Sequence, residues 1–151
     1  AMADPRLRIL AVSGQNDEYT LSRVLQSGVI GFVDKTKEDI NSLEHAIREI
    51  MEWRTYFAAI VHQMKLAQKM DPRSFSKLLT DREVELLRLF GVGLRNEEIA
   101  EKMDLSDQTV QGHRRNIMKK LGLSSTPELI RYALRKGFTR VSDILMQSDE
   151  D

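Results

Sequence analysis

Gln108, Gln111, Gly112, Arg115 and Lys119 fall on one side of the stretch Leu105 to Gly122, LSDQTVQGHRRNIMKKLG, when it is wound as a helix. Two amides, a glycine, a guanidinium and an ammonium share that face, with no carboxylate among them. In the major groove of DNA an Arg side chain can make two bonds to guanine, and a Gln side chain two to adenine. Gly112 weakens the helix but lets its backbone approach a neighbouring surface closely. The same residues would also serve as a solvated basic face, and the helix on its own does not choose between these readings.

Other chemistry finds little support. The chain has no Cys, which removes disulfides, thiolate metal sites and Cys nucleophiles. His45, His62 and His113 lie far apart, without metal-ligand spacing. No Gly-rich phosphate loop or Ser nucleophile motif is present. The chain is expected to hold no cofactor and no metal, and not to be an enzyme. No apolar run approaches bilayer length, and no signal peptide is visible.

The elements that would position the helix have marked ends. Ser106 is a good N-cap, Leu105 and Val110 can form a hydrophobic staple, and Gly122 can supply the left-handed stop. Val110, Ile117 and Leu121 form the stripe facing a core. Upstream, Thr80 and Glu83 read as a capping box before a helix with Val84, Leu87 and Phe90 inward, ending at Gly91-Val92-Gly93. Asn96 is expected to cap a short second helix, NEEIAEKM, with Ile99, Ala100 and Met103 inward. Two helices joined by the tight turn Asp104-Leu105, the second exposing a polar basic face, form a helix-turn-helix.

Charge is distributed to match. The chain as a whole has net charge 0. Residues 105 to 140, however, contain eight cations and only two acids, while residues 77 to 104 contain five cations and seven acids. The positive field is thus concentrated around the candidate recognition helix.

Several of these pieces carry a family resemblance. Leu79-Thr80 with Arg82-Glu83, Gly93-Leu94, Asn96 with Glu98-Ile99-Ala100, Ser106 with Thr109-Val110, then His113, Ile117 and Lys120-Leu121 stand at matching spacings. The stretch resembles the LuxR-type DNA-binding domain of the NarL/FixJ class of bacterial response regulators. The resemblance implies four helices, the third entering the major groove. By position it makes Gln111, Gly112 and Arg115 the base-reading residues. Asn96, Ser106, Gln108, Thr109, Arg114, Lys119 and Lys120 are the expected backbone contacts. Gln111 and Gly112 depart from the family, which more often has Lys or Arg at the first and a larger residue at the second. Ser125 or Thr126 caps the fourth helix, which the family often uses for dimer contact.

Toward the N-terminus, Leu7–Ser13 and Val29–Val33 read as buried strands. Asp17–Gln26 reads as an amphipathic helix, and Ile40, Leu43, Ile47 and Ile50 mark another. Strand, helix, strand, helix implies a parallel α/β unit. Residues 6 to 52 resemble the second half of a response-regulator receiver. The resemblance places Ser13 at the switch Ser/Thr, Phe32 at the switch aromatic and Lys35 at the lysine that pairs with phosphate. Each has a plainer reading: Ser13 ends a strand, Phe32 is core and Lys35 is a surface lysine. A receiver's acidic pair and acceptor Asp are not matched. A truncated receiver, not itself phosphorylatable on aspartate, is therefore expected. The Gly- and Pro-free stretch 38 to 69 is expected to bend or break near Trp53 to Phe57.

The expected fold class is mixed: a partial α/β receiver-like portion, then an all-α four-helix LuxR-type helix-turn-helix domain. The expected organisation is residues 1–69 for the α/β portion and linker helix, 70–76 for a linker, 77–139 for the DNA-binding domain and 140–151 for a tail. The expected function is sequence-specific DNA binding by a dimeric transcriptional regulator. The rival is an interaction protein forming mixed oligomers with full-length response regulators. Expected partners are double-stranded DNA and a second copy of the chain, with other response regulators and RNA polymerase as further candidates and no membrane. The expected compartment is the cytoplasm.

Overall fold

The computed structural model describes residues 7–148 and divides into two units, Ala1–Met70 and Asp71–Asp151. The first six residues of the expected α/β portion and the last three of the expected tail, 149–151, lie outside the described residues.

The first unit alternates strand and helix: β1 (Leu10–Ser13), α1 (Glu18–Gln26), β2 (Gly31–Asp34), α2 (Ile40–Met51), β3 (Tyr56–Phe57) and α3 (Ala59–Met70). The three strands form a parallel sheet in the order β1-β2-β3, with Ser13 opposite Asp34 and Phe32 opposite both Ala11 and Phe57. Period-2 alternation sends neighbours on β2 to opposite faces. Phe32 enters a core with Leu21, Ala58, Val61 and Met64 from the α1 and α3 side. Gly31 faces α2 so closely that a Cβ would meet Leu10 Cδ1 at 2.6 Å and Ile50 Cγ2 at 3.2 Å. Asp17 caps α1 by accepting from the Thr20 amide (2.8 Å), and Asp39 caps α2 through the Ser42 amide (2.9 Å).

Two strands were expected and three are present. The break after α2 is a reversal through Trp53, whose φ of 60° is left-handed, followed by the two-residue strand β3. Arg54 is held there by the carboxylates of Glu49 and Glu52. A two-residue strand has no periodicity to read. β3 exists because Tyr56 N donates to Ile30 O, just before β2, and Ala58 N to Phe32 O on β2.

The second unit is helical: α4 (Phe75–Leu78), α5 (Asp81–Gly91), α6 (Asn96–Met103), α7 (Asp107–Leu121), α8 (Thr126–Lys136) and α9 (Val141–Ser148). The capping box forms: Glu83 Oε2 accepts from the Thr80 amide (2.9 Å), and Thr80 Oγ1 accepts from the Glu83 amide (3.3 Å). α5 and α8 pack without a gap at Gly91, where a Cβ would lie 2.7 Å from Ala133 Cβ. The expected linker is not all linker: Ser74 and Phe75 are buried, and Phe75 meets Phe138 edge-on at 4.7 Å between ring centroids. Among the described residues no helix is long and apolar enough to cross a membrane.

Candidate nucleic-acid interface

α6 and α7 are joined by Asp104 in the left-handed conformation (φ 52°, ψ 52°). Arg82 fixes the end of α6, donating from Nη2 to Met103 O at 3.0 Å. The start of α6 corrects one expectation. Arg95, not Asn96, is the N-cap residue, and the Glu98 carboxylate accepts from the Arg95 amide. Arginine has no acceptor to return, so only half of a capping box forms there. Asn96 is the first helical residue.

Ser106 caps α7 by accepting from the Thr109 amide at 3.1 Å, and Gly122 ends it in the left-handed region. Val110, Ile117 and Leu121 are buried. On the other side Gln108, Gln111, Arg115 and Lys119 are exposed, and Gly112 is half-buried between them. Exposed Ser106 and Thr109 stand at the first turn, their hydroxyls 2.7 Å apart. One helix therefore brings together the three expected base readers and four of the expected backbone contacts.

Of the other three expected backbone contacts, Lys120 and Arg114 are engaged inside the unit and Asn96 is half-buried. Lys120 Nζ lies 2.7 Å from both carboxylate oxygens of Glu83, tying the end of α7 to the start of α5. Burial opposes charge on Glu83. Lys120 and the Thr80 amide and hydroxyl outweigh it and hold the carboxyl below its ordinary value of 4.5. Arg114 folds back over Phe90, with its guanidinium carbon 4.6 Å from the ring centroid. Desolvation lowers its pKa, against the opposing pull of Asp107 and Glu97. Asn96 and Arg114 line a cavity of about 320 Å³ with Phe90, Leu94 and Ile130. There Asn96 Oδ1 and Arg114 Nε are covered and meet no hydrogen-bond partner among the described residues. Lys119 is thus the expected phosphate-contacting cation of α7 that stays on the outer face.

Sequence reasoning missed the Glu83–Lys120 pair and the Arg114–Phe90 stack. The partners are 37 and 24 residues apart, and no local spacing signals either.

In the first unit, Ser13 and Lys35 meet at the C-terminal end of the sheet, where the Lys35 amide donates to Ser13 O at 3.0 Å. Lys35 is exposed, and Ser13 Oγ accepts from the Gln15 amide at 3.0 Å. Phe32 is not at this end: it is fully buried in the core. Asp34 is buried beside Lys35, accepting from the Thr36 hydroxyl (2.6 Å) and amide (2.8 Å) and from Asn16 Nδ2 (3.4 Å). Burial would raise its pKa, yet these bonds and Lys37 bring it below the ordinary value. Among the described residues no group of three His, Asp or Glu side chains is arranged to hold a metal ion.

A helix-turn-helix with a buried apolar seam, whose second helix exposes Gln108, Gln111, Arg115 and Lys119 on the other side, is an arrangement found in nucleic-acid-binding units. Residues 77–133 match the family described as bacterial regulatory proteins, luxR family. The chain is similar to the oxygen regulatory protein NreC of Staphylococcus aureus. It is 38% identical over 140 residues to that of strain MRSA252, covering 87% of this chain and 64% of that protein. The NreC of strain NCTC 8325 is 37% identical over the same length. The chain thus spans about two thirds of the length of these relatives, 64%. Among solved structures it is similar to RcsB from Salmonella enterica serovar Typhimurium bound to promoter P1flhDC. That pair shares 26% identity and covers 90% of this chain and 63% of that one, with a TM-score of 0.49. The response regulator ChrA is 25% identical, covers 87% and 64%, and has a TM-score of 0.39.

Proposed function

We propose that this chain is a sequence-specific DNA-binding transcriptional regulator of the response-regulator type. The observation that carries the reading is the outer face of α7. Its residues Gln108, Gln111, Gly112, Arg115 and Lys119 include no carboxylate, and it exposes Gln111 and Arg115, while its opposite face is buried in a unit that matches the luxR-family model. α7 enters the major groove, with Gln111, Gly112 and Arg115 toward base edges and Ser106, Gln108, Thr109 and Lys119 toward phosphates. The name of the NreC relatives supports a regulatory role. A dimer sets two such helices in successive major grooves of a near-palindromic site.

The α/β unit is read as the latter part of a receiver, with Ser13 and Lys35 at its functional end. In the residues described, it does not accept a phosphoryl group on aspartate. Phosphoryl transfer of that kind needs a metal held by carboxylates, and the one buried carboxylate near Lys35, that of Asp34, is committed to Thr36 and Asn16. A gel shift of the full chain against genomic fragments tests both parts. A discrete subset of fragments should shift, and beryllofluoride with magnesium should leave the affinities unchanged. Equal binding to all fragments overturns the first part; a magnesium-dependent change in affinity overturns the second.

A further inference from the structure

Gly112 is the sixth residue of the fifteen-residue helix α7. Interior glycine lowers helix stability relative to alanine, so its presence calls for a reason. Other glycines of the chain show theirs. Gly122 takes a left-handed φ at a helix end, and Gly91 lies against Ala133 with no room for a methyl group. Gly112 has neither reason. It is not among the positive-φ residues, and a Cβ built on it meets no described atom within 4 Å. Neither the backbone conformation nor the packing of the unit therefore asks for glycine.

Its surroundings point outward. On the helix surface, positions three and four residues apart are neighbours, which places Gln108 and Arg115 on either side of Gly112, with Gln111 beside it. All three are exposed. They form the rim of a notch whose floor is helix backbone. The amide of a helix-interior residue is already committed to the carbonyl four residues back, so this floor offers Cα hydrogens and no hydrogen bond. The notch is open, with no described atom within 4 Å of where a Cβ would lie; it is apolar at its base and polar at its rim. On a base-pair edge, the group with the complementary shape and polarity is the C5 methyl of thymine. It is the apolar protrusion into the major groove, flanked by hydrogen-bonding atoms.

We infer that Gly112 is a specificity-determining residue: its missing side chain lets α7 approach one base pair closely and seats a thymine methyl between Gln108 and Arg115. This inference rests on the reading of α7 as the groove-entering helix and adds the base it prefers at one position. It assigns the glycine a cost in the free protein and a gain in the complex.

The test compares the full chain with its Gly112→Ala variant. Each is melted, used to select duplexes from a randomised pool, and titrated against the duplex chosen by the wild type. A second duplex carries deoxyuridine in place of each thymine in turn, which removes only the methyl. The variant should melt about 4 °C higher. It should bind the wild-type site about tenfold more weakly, with little change on scrambled duplex. At one thymine, deoxyuridine should weaken the wild type about threefold or more and leave the variant unaffected. Three results overturn the inference: a variant with wild-type affinity and preference, a variant that melts lower, or deoxyuridine without effect at every position. If the wild type itself selects no sequence, the reading of α7 has failed and the inference falls with it. If the wild type selects a site and the variant matches it, only the inference has failed.

Discussion

At the scale of the residue, identical charges on α7 have different work. Lys119 and Lys120 are adjacent in sequence, yet Lys119 stays on the outer face while Lys120 closes on Glu83. Their types gave no means of telling them apart. Only the helix phase did so, and the phase became visible once Ile117 and Leu121 were fixed inward. Arg114 and Arg115 divide in the same way, one stacked on Phe90 and the other exposed. Replacing Lys119 with Ala should therefore weaken binding to all duplexes alike and lower the slope of log K against log salt by about 1. Replacing Lys120 should leave that slope unchanged. Anisotropy titrations at several salt concentrations check both, and a slope that falls for Lys120 but not for Lys119 would reverse the assignment.

At the scale of the element, local signals were mostly readable, the start of α6 excepted, where Arg95 and not Asn96 is the cap. Asp17, Thr80, Ser106 and Ser125 each precede a helix, and each accepts a bond from its first turn. Signals that depend on distant partners were not readable. β3 is two residues long and is defined by β2, and Phe75 is buried because Phe138 lies across from it. The α5–α7 brace through Glu83 and Lys120 is of this second kind, and it titrates. The folded carboxyl of Glu83 is held below its ordinary value of 4.5. Its contribution to stability is therefore complete above that value and is lost as the pH falls through the lower folded value. Glu83→Gln should cost about 1–2 kcal/mol at neutral pH, less than a fully buried pair because the Lys120 side chain is 38% exposed. It should also flatten the loss of stability in acid below about 4.5. Urea unfolding of both proteins at neutral and acid pH measures this, and parallel pH dependences would show that the brace does not titrate as described.

At the scale of the whole chain, the α/β unit leaves apolar surface uncovered. Ile40, Ile47 and Met51 are exposed along α2, at 65%, 45% and 58%, and Val12 on β1 is 44% exposed. Among the described residues, β1 and β3 each pair on one side only. Open edges and apolar stripes favour association, so the full chain should be a dimer or larger in sedimentation equilibrium. Ile47→Glu should raise the dissociation constant at least about tenfold, since it sets a charge into the buried contact. A wild-type chain that stays monomeric at high concentration would refute this arrangement. DNA reading by α7 is tested most sharply by the specificity ratio of one side chain. Wild type and Arg115→Ala are titrated at one fixed salt concentration against a selected duplex and against duplexes altered at each base pair in turn. Arg115→Ala should lose about 1–3 kcal/mol on the selected duplex and show a relaxed preference confined to one base pair. Unchanged affinity with unchanged preference would mean that α7 does not read DNA through this face.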